Sequence, residues 1–372
     1  MKTPRHQAQQ LVQAIARETG GRTVTLMEVC GTHTMAIHRH GIRSLLPPGI
    51  RLLSGPGCPV CVTPVGYLDR AIALSRLPAL TIFTFGDMMR VPGSTSSLSR
   101  EKSQGADIRV AYSPLEALAF ARQHPERRVV FLGIGFETTA PAVAALADVA
   151  HRAPQKNLFV LSGHKVIPPA LALLAQNPEL ALDGLICPGH VSAILGMAPY
   201  RRLARVHRLP CVVTGFEPID ILQGILLLAR QVVRHRPAAE NQYARVVREE
   251  GNPAARRLLA RVFAPGDSDW RGLGNIPGSG LALRPRYRRH DAALLPVNVE
   301  PPREPRGCRC GAVLSGLALP EDCRLFGRRC TPDTPVGACM VSSEGSCAAA
   351  YRYRNPPLAR HRNPSHAPAP RR

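Results

Sequence analysis

The chain has 372 residues, is 45% hydrophobic and 20% charged, and carries a formal net charge of +22. That length allows more than one buried core and places the chain among globular proteins rather than tails. The excess charge is almost all arginine and is scattered, without a Lys/Arg block interleaved with aromatics or a helix-turn-helix signature, so charge speaks for solubility and encounter and nucleic-acid binding is not expected.

The opening stretch, MKTPRHQAQQLVQAIARETGG, is polar and reads as a short helix without the charged-then-apolar pattern of a signal peptide. No run approaches the roughly 20 apolar residues that span a bilayer. A cytoplasmic location without membrane contact is therefore expected, and there cysteines persist as thiols, metal ligands or transient redox pairs.

Eight short apolar, β-branched runs then alternate with stretches of helical composition, the rhythm of a parallel sheet. They are VTLMEV (24–29), IRLLS (50–54), LTIFTF (80–85), DIRVAYS (107–113), RVVFLGIG (128–135), NLFVLS (157–162), LDGLIC (182–187) and PCVVTGF (210–216). Two sets of four suggest two similar parallel-sheet α/β domains, 22–122 and 127–225, divided near the polar segment 122–127. Beyond about residue 225 the rhythm stops, and 225–264 reads as helices. Residues 1–21 and 226–354 form the expected third domain, helical and cysteine-rich, and 355–372 reads as a disordered basic tail.

A polar, glycine-containing motif follows nearly every run, and in open parallel sheets ligands collect beyond the carboxyl ends of the strands. After the first run comes Cys30 in MEVCGTHT, with His33 three residues on. A lone cysteine is more often a buried small hydrophobe, but the neighbouring glycine permits close approach, and a thiolate with imidazole nearby suits iron. After the second run comes GPGCPVC. Cys58 and Cys61 at a strand-to-helix junction have the arrangement of a reversible dithiol, and no second C-x-x-C completes a zinc knuckle. His164 in SGHK and His190 in PGHVS take equivalent Gly-His positions after later runs. Lys165, Asp87, Arg90, Glu137, Thr138, Thr139 and Glu217 are further candidates to line one cleft, each otherwise a cap or an ion pair. Cys187 and Cys211 read as core.

Six cysteines crowd the C-terminal part: Cys308, Cys310, Cys323, Cys330, Cys339 and Cys347. Their spacing fits a four-cysteine iron–sulfur cluster better than a zinc site, which favours paired knuckles; structural zinc and unliganded thiols stay as alternatives. Four of the six would bind the cluster, and spacing does not say which. No phosphate-binding loop and no nucleophile elbow is present.

The blocks MEVCGTHT, GPGCPVCVTP, TFGDMMRVPGS, GFETTAP, SGHKVIPP, CPGHVSAI, TGFEPIDIL, WRGLGNIPGSGL and CRLFGRRCTPDTPVGACMVSSEGSCAAAYRY together resemble the hydrogenase maturation factor HypD family, in that family's order. The resemblance implies two α/β domains and a cluster domain around a cleft. It implies a redox-active scaffold for nickel–iron hydrogenase, on which iron receives cyanide and carbonyl ligands before insertion into the large subunit. Partners would be a HypC-type small chaperone and a HypE-type cyanide donor. Cys30 would be the iron ligand shared with the chaperone, and Cys58 and Cys61 the exchangeable dithiol. His33, His164 and His190 join Cys58 and Cys61 as catalytic candidates on the strength of their own motifs, and whether the three converge is a question of geometry. The C-terminal cysteines would hold a [4Fe–4S] cluster. The competing readings are a cluster-dependent protein disulfide reductase and a zinc-stabilised basic binding module.

Overall fold

The computed structural model describes residues 3–153 and 155–353. The expected basic tail, 355–372, lies outside the described residues. Among those described, eleven strands form: β1 (Val24–Glu28), β2 (Ile50–Ser54), β3 (Leu80–Thr84), β4 (Asp107–Val110), β5 (Arg128–Gly133), β6 (Leu158–Ser162), β7 (Gly184–Pro188), β8 (Cys211–Thr214), β9 (Ala239–Asn241), β10 (Phe263–Trp270) and β11 (Gly274–Leu283). The first eight fall on the eight apolar runs. Parallel strands buried on both faces must be apolar throughout, and β1, β3 and β7 are buried at every position.

The fold is α/β with two parallel sheets and a cysteine-rich C-terminal part, but the sheets do not follow the two halves of the sequence. One has the order β2-β1-β7-β8-β9 and the other β4-β3-β5-β6. β2 pairs with β1 alone, and β1 in turn pairs with β7 from the second half, through Leu26 opposite Gly184 and Glu28 opposite Ile186. The grouping into 22–122 and 127–225 is corrected accordingly. Uniformly apolar strands carry no mark of their partner, so rhythm reveals the strands and not the sheet each joins.

Helices cover both sheets. Pro4–Thr19 starts on a Thr3 cap that accepts from the His6 amide and stops at Gly20, whose φ of +55° ends the helix. Its Ile15, fully buried, packs with Ile221 and Ile225 of the helix Pro218–Val233 against Leu26 and Leu52 of the first sheet. Burial of that one side chain is worth about 2 kcal/mol. Residues 4–19 thus pack on the first sheet and not in the third, cysteine-rich domain in which the sequence reading places 1–21. A further core joins the facing sides of both sheets to the C-terminal cysteines, including Met27, Val130, Leu185, Cys187, Cys211 and Cys339. Cys187 and Cys211 are core residues, as read from their strands.

The segment 225–264 is only partly helical. After Pro218–Val233 the chain adds the short strand β9, the helix Pro253–Val262, and then the antiparallel hairpin β10–β11, with a bulge between Gly266 and Ser268. Pro265, Gly266, Pro277, Gly278 and Gly280 are poor strand formers, which hides the hairpin in the sequence. Its tip reaches the cysteine-rich part. Gly272 has φ +82°, and a Cβ there would overlap the backbone of Gly311.

Candidate metal and thiol centre

Cys30, Cys58 and Cys61 meet at the carboxyl ends of β1 and β2. Cys30 stands in extended conformation as the residue that opens the helix Gly31–Arg39, with its sulfur free of any capping bond. Its amide donates to Glu28 Oε2 at 3.1 Å. Gly57, immediately before Cys58, is the contact between the two loops: its carbonyl accepts from the Gly31 amide at 3.0 Å, and a Cβ on it would overlap the Cys30 amide nitrogen. Only glycine allows that approach.

Cys58 caps the short helix Pro59–Val62 and is joined to Cys61 in a disulfide, with a Cα separation of 5.2 Å. The Cys61 amide lies 3.3 Å from Cys58 Sγ. Cys58 is 4% exposed and Cys61 is fully buried. On the far side, Cys61 Sγ rests 3.9 Å from the carbonyl of Ala338, the residue before Cys339. The disulfide therefore lies between the Cys30 loop and the C-terminal cysteines.

Burial dominates the electrostatics around Cys30. It pushes the Cys30 thiol up to about 12, with the nearby Glu344 carboxylate adding to the effect. Glu28, wholly buried, is raised from 4.5 to about 7 by desolvation, against hydrogen bonds from Thr34 and the Cys30 amide. Thr34 Oγ1 donates to Glu28 Oε1 at 2.5 Å. Glu344 comes from the distant C-terminal segment: Thr32 Oγ1 donates to it at 2.7 Å, and Gly31 makes room for it. Nothing in the motif SSEGS marked Glu344 for this place, since a single carboxylate in a loop ordinarily faces water.

The three histidines divide. His33 is buried, and its Nε2–H donates to the Gly215 carbonyl at 2.9 Å, close to Thr214 Oγ1. That bond fixes the tautomer, so Nδ1 carries the lone pair, buried and without a partner. Desolvation lowers His33 to about 4, keeping it neutral. His190, exposed after β7, stacks on Phe216 at 4.0 Å, and His33 packs on the same ring at 4.7 Å. Burial lowers His190 while Glu344 acts in the opposite sense. These two histidines share the carboxyl end of the first sheet with Cys30.

His164 does not join them. It follows β6 in the second sheet, buried over Gly133 and beside the hairpin, with Nδ1 3.3 Å from Ser162 Oγ. Lys165 turns into the hairpin and donates to Ser268 Oγ and to the Asp269 carbonyl. Glu137 is internal, accepting from the Ile167 amide at 2.9 Å. Thr139 Oγ1 bonds the carbonyls of Ile134 and Phe136, Thr138 is exposed, and Glu217 opens the helix Pro218–Val233. Arg90 donates to the carbonyls of Pro332 and Val341, which ties its loop to the cysteine-rich part, while Asp87 faces outward. The candidate set is thus spread over both sheets instead of one cleft. The motif positions after each strand were right, but two sheets give two separate carboxyl-end surfaces.

The C-terminal cysteines are packed sulfur on sulfur. Cys310 Sγ and Cys339 Sγ lie 2.7 Å apart. Cys308 hydrogen-bonds to Cys310, and Cys339 to Cys347, all four being free thiols. Cys323 Sγ faces the Gly307 carbonyl at 3.9 Å, and Cys330 Sγ accepts from the Val336 amide at 3.3 Å. The Cys310 thiol is held well below its ordinary range, first by its hydrogen bonds with Cys308 and Cys339, with the Arg271 guanidinium adding positive charge. Cys339 is pushed the opposite way by that same bond and by burial. Among the described residues no three of these side chains are spread to the spacing of a metal's ligand shell.

Arg271, at the hairpin tip, is the functional neighbour that sequence reasoning missed. It is 3% exposed. Its amide and Nε donate to the carbonyls of Val62 and Thr63, at the end of the Cys58–Cys61 turn, and Nη1 pairs with Glu304 at 3.1 Å. Its Nη2 is buried without a partner.

Residues 6–354 match the family described as HypD: Hydrogenase formation hypA family. The chain belongs to the HypD family. It is 47% identical over 344 residues to the hydrogenase maturation factor HypD of Rhodobacter capsulatus, covering 90% of each chain. Similarity to HypD of Escherichia coli K12 is 45% over 339 residues, covering 90% of this chain and 91% of the relative. The hydrogenase expression/formation protein HupD of Azotobacter chroococcum is 46% identical over 356 residues, 93% of this chain and 94% of the relative. The coarse function follows from these matches: hydrogenase maturation. Among the described residues no helix is long and apolar enough to cross a membrane.

The iron–sulfur cluster expected of a HypD-type chain finds donors suited to it in kind and number. Six soft thiol ligands share one buried region, and the unpartnered Arg271 Nη2 beside Cys310 suits an anionic group. Gly337, where a Cβ would lie 2.5 Å from Cys308 Sγ, keeps the space beside these sulfurs open.

Proposed function

We propose that the chain is a redox-active scaffold on which an iron atom acquires cyanide and carbonyl ligands for a nickel–iron hydrogenase. The observation that carries this reading is the stacking of three thiol groups in order: Cys30, the Cys58–Cys61 disulfide held against it by Gly57, and Cys339 behind Ala338. Iron is the cargo. Cys30 binds it together with a cysteine of a HypC-type chaperone, and a HypE-type protein supplies cyanide.

The Cys30 region suits a single soft-metal ligand that must be kept from adventitious chemistry. Its thiol rests protonated, and metal binding must displace that proton. Glu28 and Glu344 lie on either side of the loop as acceptors. His33 presents a bare Nδ1 and His190 an imidazole at the edge of the same surface. The Cys58–Cys61 disulfide takes up two electrons and two protons to become two thiols, and reoxidation returns two electrons to the site. A [4Fe–4S] cluster on four of Cys308, Cys310, Cys323, Cys330, Cys339 and Cys347 would supply electrons singly.

The disulfide-reductase reading is disfavoured by access. A protein disulfide must be attacked by an exposed thiolate, and Cys58 and Cys61 are 4% and 0% exposed. Metal analysis tests the proposal. Protein purified anaerobically should carry about four irons with acid-labile sulfide, plus further iron when made together with its HypC-type partner. Cys30→Ala should lose only the further iron. Zinc in place of iron, or full iron loading without Cys30, would overturn the reading.

A further inference from the structure

The disulfide that must be reduced cannot be touched from outside, which raises the question of where electrons enter. Of the six C-terminal cysteines five are buried and Cys308 alone is half-buried. From Cys308 the sulfurs run inward in contact: Cys308 to Cys310, Cys310 to Cys339 at 2.7 Å, and the Ala338 carbonyl against Cys61 Sγ. The surface opening of that run lies at Cys308.

Four exposed arginines lie on its loop and on the turn packed against that loop. Arg306 and Arg309 flank Cys308 in sequence, and the turn 322–328 lies against them. Cys323 Sγ meets the Gly307 carbonyl, Arg309 Nη1 reaches the Asp322 carbonyl at 3.4 Å, and the Arg328 amide donates to Leu325. Leu325 lies over Gly307, and Arg324 and Arg328 are exposed on that same turn. Among the described residues none of the four has a carboxylate in ion-pair reach. The acids nearby are committed elsewhere. Glu304 pairs with Arg271, Asp322 accepts from the Leu319 amide at 2.8 Å, and Glu321 lines a cavity with Arg43. Unpaired guanidinium groups around a partly open redox sulfur make a docking face for negative charge.

We propose that this arginine face around Cys308 docks a small one-electron carrier protein with an acidic surface, which delivers the electrons that open the Cys58–Cys61 disulfide. Two reduced carriers each give up one electron and leave oxidised. The sulfur–sulfur bond breaks, two protons enter from water, and two thiols result. The inference rests on the reading of the C-terminal cysteines as a one-electron centre. It adds the partner and the face it uses.

The test uses the full chain, purified anaerobically, with a plant-type [2Fe–2S] ferredoxin as acidic probe. Binding should weaken steeply with salt, because the contacts are exposed charges. Arg306→Glu combined with Arg309→Glu and Arg328→Glu should weaken it about tenfold or more. The equally charged change Arg256→Glu with Arg257→Glu and Arg288→Glu, on other exposed positions, should leave it unchanged. Alkylation of newly formed thiols at Cys58 and Cys61, read by mass, should slow in the first variant when reduced ferredoxin is the donor. With dithionite, a small reductant that needs no docking, the two variants should be reduced alike. Unchanged ferredoxin binding in the first variant, or equal loss in the second, would overturn the proposal. Reduction by dithionite with no ferredoxin binding by the unmutated chain would overturn it too, while leaving the scaffold reading intact. Failure of dithionite as well would strike that reading instead.

Discussion

Glu137 places a carboxyl where a carboxylate is costly. It is 1% exposed, one oxygen accepts from the Ile167 amide, and the other has no partner. Desolvation raises it from 4.5 to about 7. Because the folded value lies above the unfolded one, the proton stabilises the fold fully below about pH 4.5, and that contribution is lost as pH rises through about 7. Glu137→Gln keeps an acceptor for Ile167 and removes the titration. The variant should match the unmutated chain in denaturant midpoint near pH 5 and exceed it near pH 8, by on the order of 2 kcal/mol. Equal midpoints at both pH values would contradict the assignment. A second test falls on Gly57. Gly57→Ala places a methyl on the Cys30 amide nitrogen, so the loops must part, at a cost of about 1–3 kcal/mol by chemical denaturation. At this scale the sequence placed Cys30, Cys58 and Cys61 just beyond the ends of β1 and β2, where the structure has them. It was silent on Arg271 and Glu344, because a single charged residue beside a loop glycine gives no sign of turning inward.

The hairpin β10–β11 acts as a strut between two thiol sites. Just below its tip it is held by Lys165 on Ser268 and Asp269, and Trp270 Nε1 donates to Ser279 Oγ at 2.8 Å across it. Its tip lays Arg271 between the Cys58–Cys61 turn and Cys310. Arg271→Met should therefore lower stability by about 1–3 kcal/mol, leaving the Thr63 carbonyl without its Nε donor while the backbone bond to Val62 persists. It should also speed alkylation of Cys61 after reduction, which a mass time course would detect. An unchanged rate would mean that the strut does not seal the dithiol. The hairpin was hidden by its prolines and glycines, whereas β1 to β8 stood out because strands buried on both faces admit little but apolar residues. The three-residue β9, half-buried throughout, is too short for any period to register.

The chain crosses from the first sheet to the second after β2 and returns at β7. One core then runs between both sheets and the C-terminal cysteines. Neither half of the sequence contains a complete sheet, so unfolding by denaturant should appear as a single transition, with fluorescence of Trp270 and far-ultraviolet ellipticity coinciding. Separate transitions would show that the sheets are independent. The two-sheet architecture was legible from strand rhythm and the family's blocks, but the interleaving was not, because pairing partners are chosen by packing across the whole molecule. That interleaving sets β1, β2, β7 and β8 side by side and gathers Cys30, the Cys58–Cys61 disulfide, His33 and His190 on one surface. The most direct test is infrared spectroscopy of the chain purified anaerobically with its HypC-type partner. Bands in the cyanide and carbonyl stretching region, abolished by Cys30→Ala, are the expected result; bands that persist without Cys30 would contradict the assembly of iron at this site.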